Sequence, residues 1–190
     1  MAPPPAPKPE ADREAPLEER LAAVEPTRLK GLCFRIVPAR YEAEILSVEG
    51  SRRYGRYNPK GEFGVVYLAE GEEVARAEVL RKVGEVPDAL KEPYTCGAVR
   101  VQLTKVLDLA DERVLKGLGI RREDLLQDTG DREKDYAVPR RVARAARAAG
   151  LEGLRVPSVT SKGSNLVLFP ENLSESSQVQ VEQKKPVSFP

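Results

Sequence analysis

The side chains in this sequence that could do chemistry are carboxylates, arginines, tyrosines, serines and lysines, because the chain contains no histidine. That absence removes Ser-His-Asp and Cys-His nucleophile systems and His-ligated metals together. The segment GSRRYGRYNPKGEFG (50–64) gathers four Gly, four basic residues and two Tyr. Backbone N–H groups freed by glycine, guanidinium groups and aromatic faces in one loop suit a phosphate carried beside a ring or a sugar. The loop lacks the GxxxxGK[ST] spacing of a phosphate loop, and it is equally compatible with a solvated turn or an RNA-contacting loop. Downstream, helical spacing places Val74, Ala77, Glu78 and Arg81 on one stripe. The Glu78 carboxylate then faces either a cleft or an ordinary surface pairing with Arg81 or Lys82. Arg35 interrupts the apolar run LCFRIV, as a strand-edge charge reaching solvent or as a functional cation. Ser158 ends a short apolar strand in RVPSVTSKGSN, where hydroxyls usually cap or turn the backbone.

The elements that must position these residues can be read from pattern and punctuation. At 190 residues the chain is long enough for one domain with a real core. Residues 1–15 combine Pro, Ala and charge with almost no large apolar side chain and read as a disordered arm. Residues 16–24 read as one short amphipathic helix, because Leu17, Leu21 and Val24 recur at i, i+4 and i+7. LCFRIV opens the folded part as a strand. GVVYLAE (64–70) is a second strand, leading into a helix at 71–83 with acids in its first turn and bases in its last. GAVRVQLTKVLDL (97–109) alternates as a long strand, and DERVLKGLGI and REDLLQD are short helical pieces. YAVPRRVARAARAAG (136–150) is a helix stopped by Gly, with a basic face that suits solvent or an acidic partner such as nucleic acid. LRVPS, NLVLFP, VQVEQ and PVSF follow as short strands. Strands and helices mix without a βαβ rhythm, so the expected class is α+β.

Charge and cysteine usage narrow the partners and the compartment. With 31 Lys and Arg against 30 Asp and Glu, the net charge of +1 supplies no global field toward nucleic acid or membrane. Cys33 and Cys96 show no CxxC spacing, which argues against a disulfide framework or a zinc knuckle and for a reducing compartment. No apolar run approaches the roughly 18 residues of a membrane span, and the Pro-rich N-terminus has no signal-peptide core. A soluble cytoplasmic protein is expected.

Taken in order, these segments resemble the RES domain, named for its Arg, Glu and Ser residues, the toxin half of bacterial RES–Xre toxin–antitoxin pairs. FR at 34–35 resembles the family's opening aromatic-Arg pair, YGRYNPKG at 54–61 its Gly-x-Arg-aromatic loop, and VVYLAE at 65–70 its tyrosine-bearing strand. ARAE at 75–78 resembles its helix glutamate and VPS at 156–158 its late serine. Arg56, Tyr67 and Glu78 are spaced eleven residues apart, as the family pattern has them. NLVLFPEN and VQVEQKKPVSFP resemble its terminal strands, while Tyr57 replaces a more usual Trp or Phe and the N-terminal arm is long.

The resemblance implies an arm with a short helix at 1–27 and a RES domain at 28–190. It implies a single domain with a split mixed β-sheet and flanking helices, in the diphtheria-toxin-like ADP-ribosyltransferase architecture. NAD+ is then a substrate, with no cofactor and no metal, and the bond between nicotinamide and ribose is cleaved by hydrolysis or phosphorolysis. In that reading Arg56, Glu78 and Ser158 are catalytic, and Arg35, Arg56, Tyr57, Asn58 and Tyr67 bind NAD+. Glu78 stabilises positive charge on the ribose, Arg35 and Arg56 hold pyrophosphate or ribose oxygens, Tyr67 packs on a ring, and Ser158 hydrogen-bonds ribose or carboxamide. The implied partner is an Xre-type helix-turn-helix antitoxin that covers the cleft, and nucleic acid is reached only through it. Nicotinamide leaves as a neutral molecule, so no histidine acid is required. The alternatives are transfer of ADP-ribose to a protein, and a non-catalytic module that binds a nucleotide or RNA.

Overall fold

The longest element decides the architecture. Strand β3 (Tyr94–Asp108) runs for 15 residues, roughly 50 Å at the usual rise per residue, and one edge of it serves two partners. Its first part pairs antiparallel with β6 (Gln178–Val187), from Tyr94↔Val187 to Gln102↔Gln178, and its last part pairs parallel with β4 (Gly153–Pro157), from Val106↔Gly153 to Asp108↔Arg155. The other edge is taken along nearly its whole length by β1 (Thr27–Pro38). β1 also touches β2 (Val66–Ala69) at Phe34↔Ala69, and β2 pairs β5 (Ser164–Leu168), which pairs β4. The order β1-β2-β5-β4-β3 therefore returns to β1, with β6 appended outside the ring. In the computed structural model, which describes residues 15–52, 55–83, 92–160 and 163–189, the expected split sheet is thus one continuous mixed sheet. Five of its strands close into a barrel, which leaves no free edge within the ring.

Alternation sorts the side chains into two layers. Val66 and Leu68 of β2, Leu166 and Leu168 of β5, and Val99, Val101 and Leu103 of β3 form one cluster with Cys33 and Ile45. Residues of opposite parity, Tyr67, Leu154, Val156 and Val167, join a second cluster beneath the helices. That helical layer consists of α1 (Leu17–Ala22), α4 (Glu112–Gly117), α5 (Arg122–Leu126), α6 (Arg132–Asp135) and α7 (Ala137–Ala148). α7 buries Val142, Ala143, Ala145 and Ala146, and α1 lays Leu17 and Leu21 into the same core. Gly150, at φ +74°, ends the α7 segment in the left-handed region that a side chain would resist. A third cluster packs α3 (Glu72–Val83) through Val74, Ala75 and Val79 against Phe34 and Ile36 of β1, Ala69 of β2, and Tyr94. α2 (Glu49–Arg52) is a single turn leading into the glycine-rich loop. VQVEQ and PVSF, expected as two strands, are one strand, β6.

Closure needs an irregularity in β3. Between the pairs Thr27↔Val106 and Leu29↔Leu103 the register slips, with two steps on β1 facing three on β3, so a β-bulge falls at Thr104 and Lys105. Glu152, fully buried, caps it. One carboxylate oxygen accepts from the backbone N–H groups of Thr104 at 2.6 Å and Lys105 at 3.2 Å. The other accepts from the Thr104 hydroxyl, the Ser174 N–H at 3.0 Å and the Ser177 hydroxyl at 2.6 Å. Burial alone would raise the pKa of Glu152, but the hydrogen bonds from Ser177, Ser174 and Thr104 outweigh it and hold the group at about 2 instead of 4.5.

The amide of Glu152→Gln would aim N–H donors at N–H donors, so this variant is expected to lose about 2–4 kcal/mol in urea melts. A loss under about 0.5 kcal/mol would show that the bulge does not need the carboxylate. Because the folded pKa lies below the unfolded one, the group's contribution is complete above pH 4.5 and disappears as the pH falls toward 2. The parent's stability should therefore drop across that window, and the drop should be visibly smaller in Glu152→Gln.

Candidate active site

One row of strand pairing gathers the candidate residues. Phe34 faces Ala69, Ala69 faces Asn165, and Asn165 faces Val156. Because β1 and β4 run in opposite directions across this row, Arg35 and Ser158 fall on opposite sides of it, one residue and two residues away, with Ser158 on the side toward which β2 leads into α3. α3 begins at Glu72, three residues after Ala69, and crosses above the row. Glu78, near the middle of α3, is brought over the ends of β4 and β5.

Its carboxylate is held from below. Oε1 accepts from the Ser158 hydroxyl at 2.9 Å and from the Asn165 side-chain amide at 2.9 Å. Oε2 makes neither of these bonds and lies 3.8 Å from the Arg81 guanidinium. Ser158 fills both roles open to it, since its hydroxyl also accepts from the Thr160 N–H at 3.2 Å, the turn-capping bond. Asn165 was not among the sequence candidates. Its only signal is the sheet register, which no local pattern reveals.

The glycine-rich loop contributes a buried scaffold and one cation. The Tyr67 hydroxyl accepts from the Tyr57 N–H at 3.0 Å and donates to Asn58 Oδ1 at 2.8 Å, and the Asn58 amide donates to the Ser51 carbonyl. Asn58 and Tyr57 are fully or almost fully buried, and the Tyr57 ring sits in the core with Phe63 and Val65. Burial raises the pKa of both tyrosines, so the hydroxyls stay protonated. Gly55 is required here: a Cβ on it would run into Asn58 Oδ1 and come within 2.6 Å of the Tyr67 hydroxyl. Structure thus groups Tyr57, Asn58 and Tyr67 as the packed underside of the loop.

Arg56 is presented by that scaffold. Its Nη1 donates to the carbonyls of Leu125 at 3.2 Å and Gln127 at 2.7 Å, groups left unpaired at the end of α5. Its guanidinium stacks on Tyr136, 4.7 Å from the ring centroid, and its side chain is only 10% exposed. Its Nη2 has no hydrogen bond and lies 3.7 Å from Asp128. Asp128 in turn accepts from Arg81 at 3.2 Å. A chain of charges therefore runs from Arg56 through Asp128 and Arg81 to Glu78, joining the loop, the segment after α5, and α3. Asp128 was missed because its partners are 47 or more residues away.

Arg35 stands apart from this chain. Its Nη1 donates to the carbonyls of Ile45 at 2.7 Å and Ser47 at 3.1 Å, tying the segment after the 3-10 turn Ala39–Glu44 to β1. Burial lowers its pKa, though a guanidinium keeps its charge. Among the described residues no group of three or more His, Cys, Asp or Glu is placed to hold a metal, and no helix is long and apolar enough to cross a membrane. Cys33 and Cys96 are free and buried.

A Mycobacterium tuberculosis protein named as a probable NAD(+) phosphorylase is 31% identical over 90% of this chain and 79% of its own length. The NAD(+) phosphorylase MbcT of Mycobacterium bovis is 28% identical over 80% of this chain and 79% of its own. Among solved structures, the M. tuberculosis MbcT-MbcA toxin-antitoxin complex holds a chain that superposes with a TM-score of 0.77 at 28% identity, covering 90% of this chain and 92% of that one. The RES domain family model matches residues 32–190, and the chain belongs to the RES domain family.

Proposed function

We propose that this protein is the toxin of a toxin–antitoxin pair and that it destroys NAD+ by cleaving the bond between nicotinamide and ribose. The observation that carries the reading is the Glu78 carboxylate. Two neutral donors fix one of its oxygens while the other lies 3.8 Å from the guanidinium of Arg81, which Asp128 links to Arg56. As the C1′–N bond breaks, its electron pair goes to the nicotinamide nitrogen, which becomes neutral, and positive charge grows on the ribose. A carboxylate already oriented at that place binds the transition state more strongly than the ground state. The arginines supply the opposite charge for the phosphoryl oxygens of the substrate.

Phosphate is the acceptor in this reading, which the names of two relatives support, a probable NAD(+) phosphorylase and an NAD(+) phosphorylase. A phosphate oxygen forms the new bond to C1′, and ADP-ribose carrying a 1-phosphate leaves with free nicotinamide. Ser158 serves by aiming Glu78, and Tyr67, Tyr57 and Asn58 serve by holding the loop that presents Arg56. Arg35 steadies the rim. NAD+ acts as substrate and no separate cofactor is required. The diphtheria-toxin-like ADP-ribosyltransferase likeness belongs to the same reading, supported by the mixed sheet and the shared bond cleaved, with residues 28–190 as the RES domain and 1–27 as an arm. The antitoxin is of the Xre helix-turn-helix type and acts in the cytoplasm, where NAD+ is available; DNA is contacted through that partner. The basic face of α7 does not favour an RNA-binding module, because Arg140, Arg144 and Arg147 are paired with Glu133, Glu62 and Glu171.

Purified protein given NAD+ and phosphate should release nicotinamide without labelling any protein; labelled protein would point to ADP-ribosyl transfer instead. Glu78→Ala should lower kcat/KM by about 1000-fold or more, a loss of roughly 4 kcal/mol in transition-state binding. Full activity in that variant would sink the mechanism. Asn165→Ala removes one of two donors to the same oxygen and should lower kcat about tenfold with little change in KM.

A further inference from the structure

Asp128 occupies a place built for an anion. Two guanidiniums on separate elements reach it from opposite sides, Arg81 of α3 at 3.2 Å and Arg56 of the loop at 3.7 Å. Arg56 is immobilised by two carbonyls and by Tyr136. It nevertheless keeps a buried Nη2 that donates to nothing, and the Nε of Arg81 is likewise buried without a hydrogen bond. Buried donors of this kind are normally satisfied, so the open Nη2 of Arg56 beside Asp128, with the open Nε of Arg81 3.8 Å from Glu78, marks a site that its present occupant fills incompletely. Asp128 itself is 44% exposed and takes a true hydrogen bond from only one of the two arginines.

A carboxylate offers two oxygens and one charge. A phosphoryl group offers three oxygens and up to two charges, enough to satisfy the facing edges of both guanidiniums together. We propose that Arg56 and Arg81 form a phosphoryl-binding subsite, and that Asp128 is an internal stand-in which the phosphoryl group displaces. This deepens the NAD+-cleaving reading and rests on it for the source of the ligand, inorganic phosphate or the diphosphate of NAD+. Arg81 lies 3.8 Å from Glu78, so the bound group sits next to the carboxylate assigned to the ribose. Entry of ligand then exchanges one salt bridge for another and leaves no buried cation exposed to apolar surroundings.

The test uses the full chain, with nicotinamide release measured while phosphate and NAD+ are varied separately. Arg81→Gln should raise the KM for the ligand of this subsite about tenfold, the worth of a charge-assisted hydrogen bond. Asp128→Asn should lower the same KM severalfold, because the competing charge is gone. A phosphate KM that moves alone identifies the acceptor's subsite, an NAD+ KM that moves alone identifies the diphosphate's, and both moving means the two share it. A purely structural bridge would make both variants shift in the same direction; that result, or changes within twofold for both, overturns the proposal. Calorimetry with inorganic phosphate and with ADP-ribose, on variants whose thermal melts match the parent, gives the same opposed shifts in Kd without turnover. Should the parent release no nicotinamide, the function falls while these binding shifts still decide the subsite.

Discussion

The row of paired residues Phe34, Ala69, Asn165 and Val156 crosses β1, β2, β5 and β4 in turn, and these strands belong to a five-stranded ring that closes through β3. β1 meets β2 at a single pair, so the row is held by what fixes β1 from its other side, the long ladder to β3. That ladder accommodates the closure through the bulge at Thr104 and Lys105, whose unpaired N–H groups are taken up by Glu152. A buried carboxylate far from Glu78 in sequence thereby steadies the ladder behind the strands that carry Asn165 and Ser158 to Glu78. Placement of the site is a property of the barrel before it is a property of any loop.

Two kinds of polar group meet at the site, and burial separates their tasks. Asn58, the Tyr57 N–H and the Tyr67 hydroxyl satisfy one another and the backbone, the Tyr57 hydroxyl is buried without a hydrogen bond, and a Cβ on Gly55 would collide with Asn58 and Tyr67. The charged groups above them are satisfied only in part: Arg56 and Arg81 keep free N–H groups, and Glu78 has both of its neutral donors on one oxygen. A fully paired network is rigid and inert, whereas a partly paired one set on rigid elements is poised to gain interactions when a ligand arrives. The chain keeps the two apart by assigning the first to the loop's underside and the second to α3 and Arg56.

Local chemistry was legible in the sequence where local spacing governs it. The α3 stripe identified Glu78 and Arg81, the acids and bases at its ends marked its limits, and the motifs 54–61 and 156–158 named Arg56 and Ser158. Pairing across long separations was not legible. Asn165 lies 87 residues from Glu78 and Asp128 lies 47 from Arg81, and nothing in either segment's composition points to the other. The same holds for closure: strand patterns give the β-strands one by one, but whether β1 returns to β3 depends on a bulge that appears in sequence only as an ordinary Thr-Lys. Tyr57 and Asn58 show the reverse case, since residues expected at a ligand are also what a loop needs in order to pack, and sequence does not separate the two.

On the proposed NAD+-cleaving reading, the missing histidine follows from the kind of charge that this site must handle. A serine nucleophile needs a base to take its proton and an acid to return it, and imidazole does both near neutral pH. When the leaving group departs neutral and the charge that develops is positive, no proton has to be moved to break the bond, and a fixed negative charge suffices. Ser158 fits that requirement because its hydroxyl donates to Glu78 at 2.9 Å and so helps to fix the position of that carboxylate. The residue types, the direction of each hydrogen bond and the absence of histidine then have one explanation: the site is organised to hold charges still, with the proton-transfer apparatus of a hydrolase triad replaced by a carboxylate whose position is decided by a strand pairing.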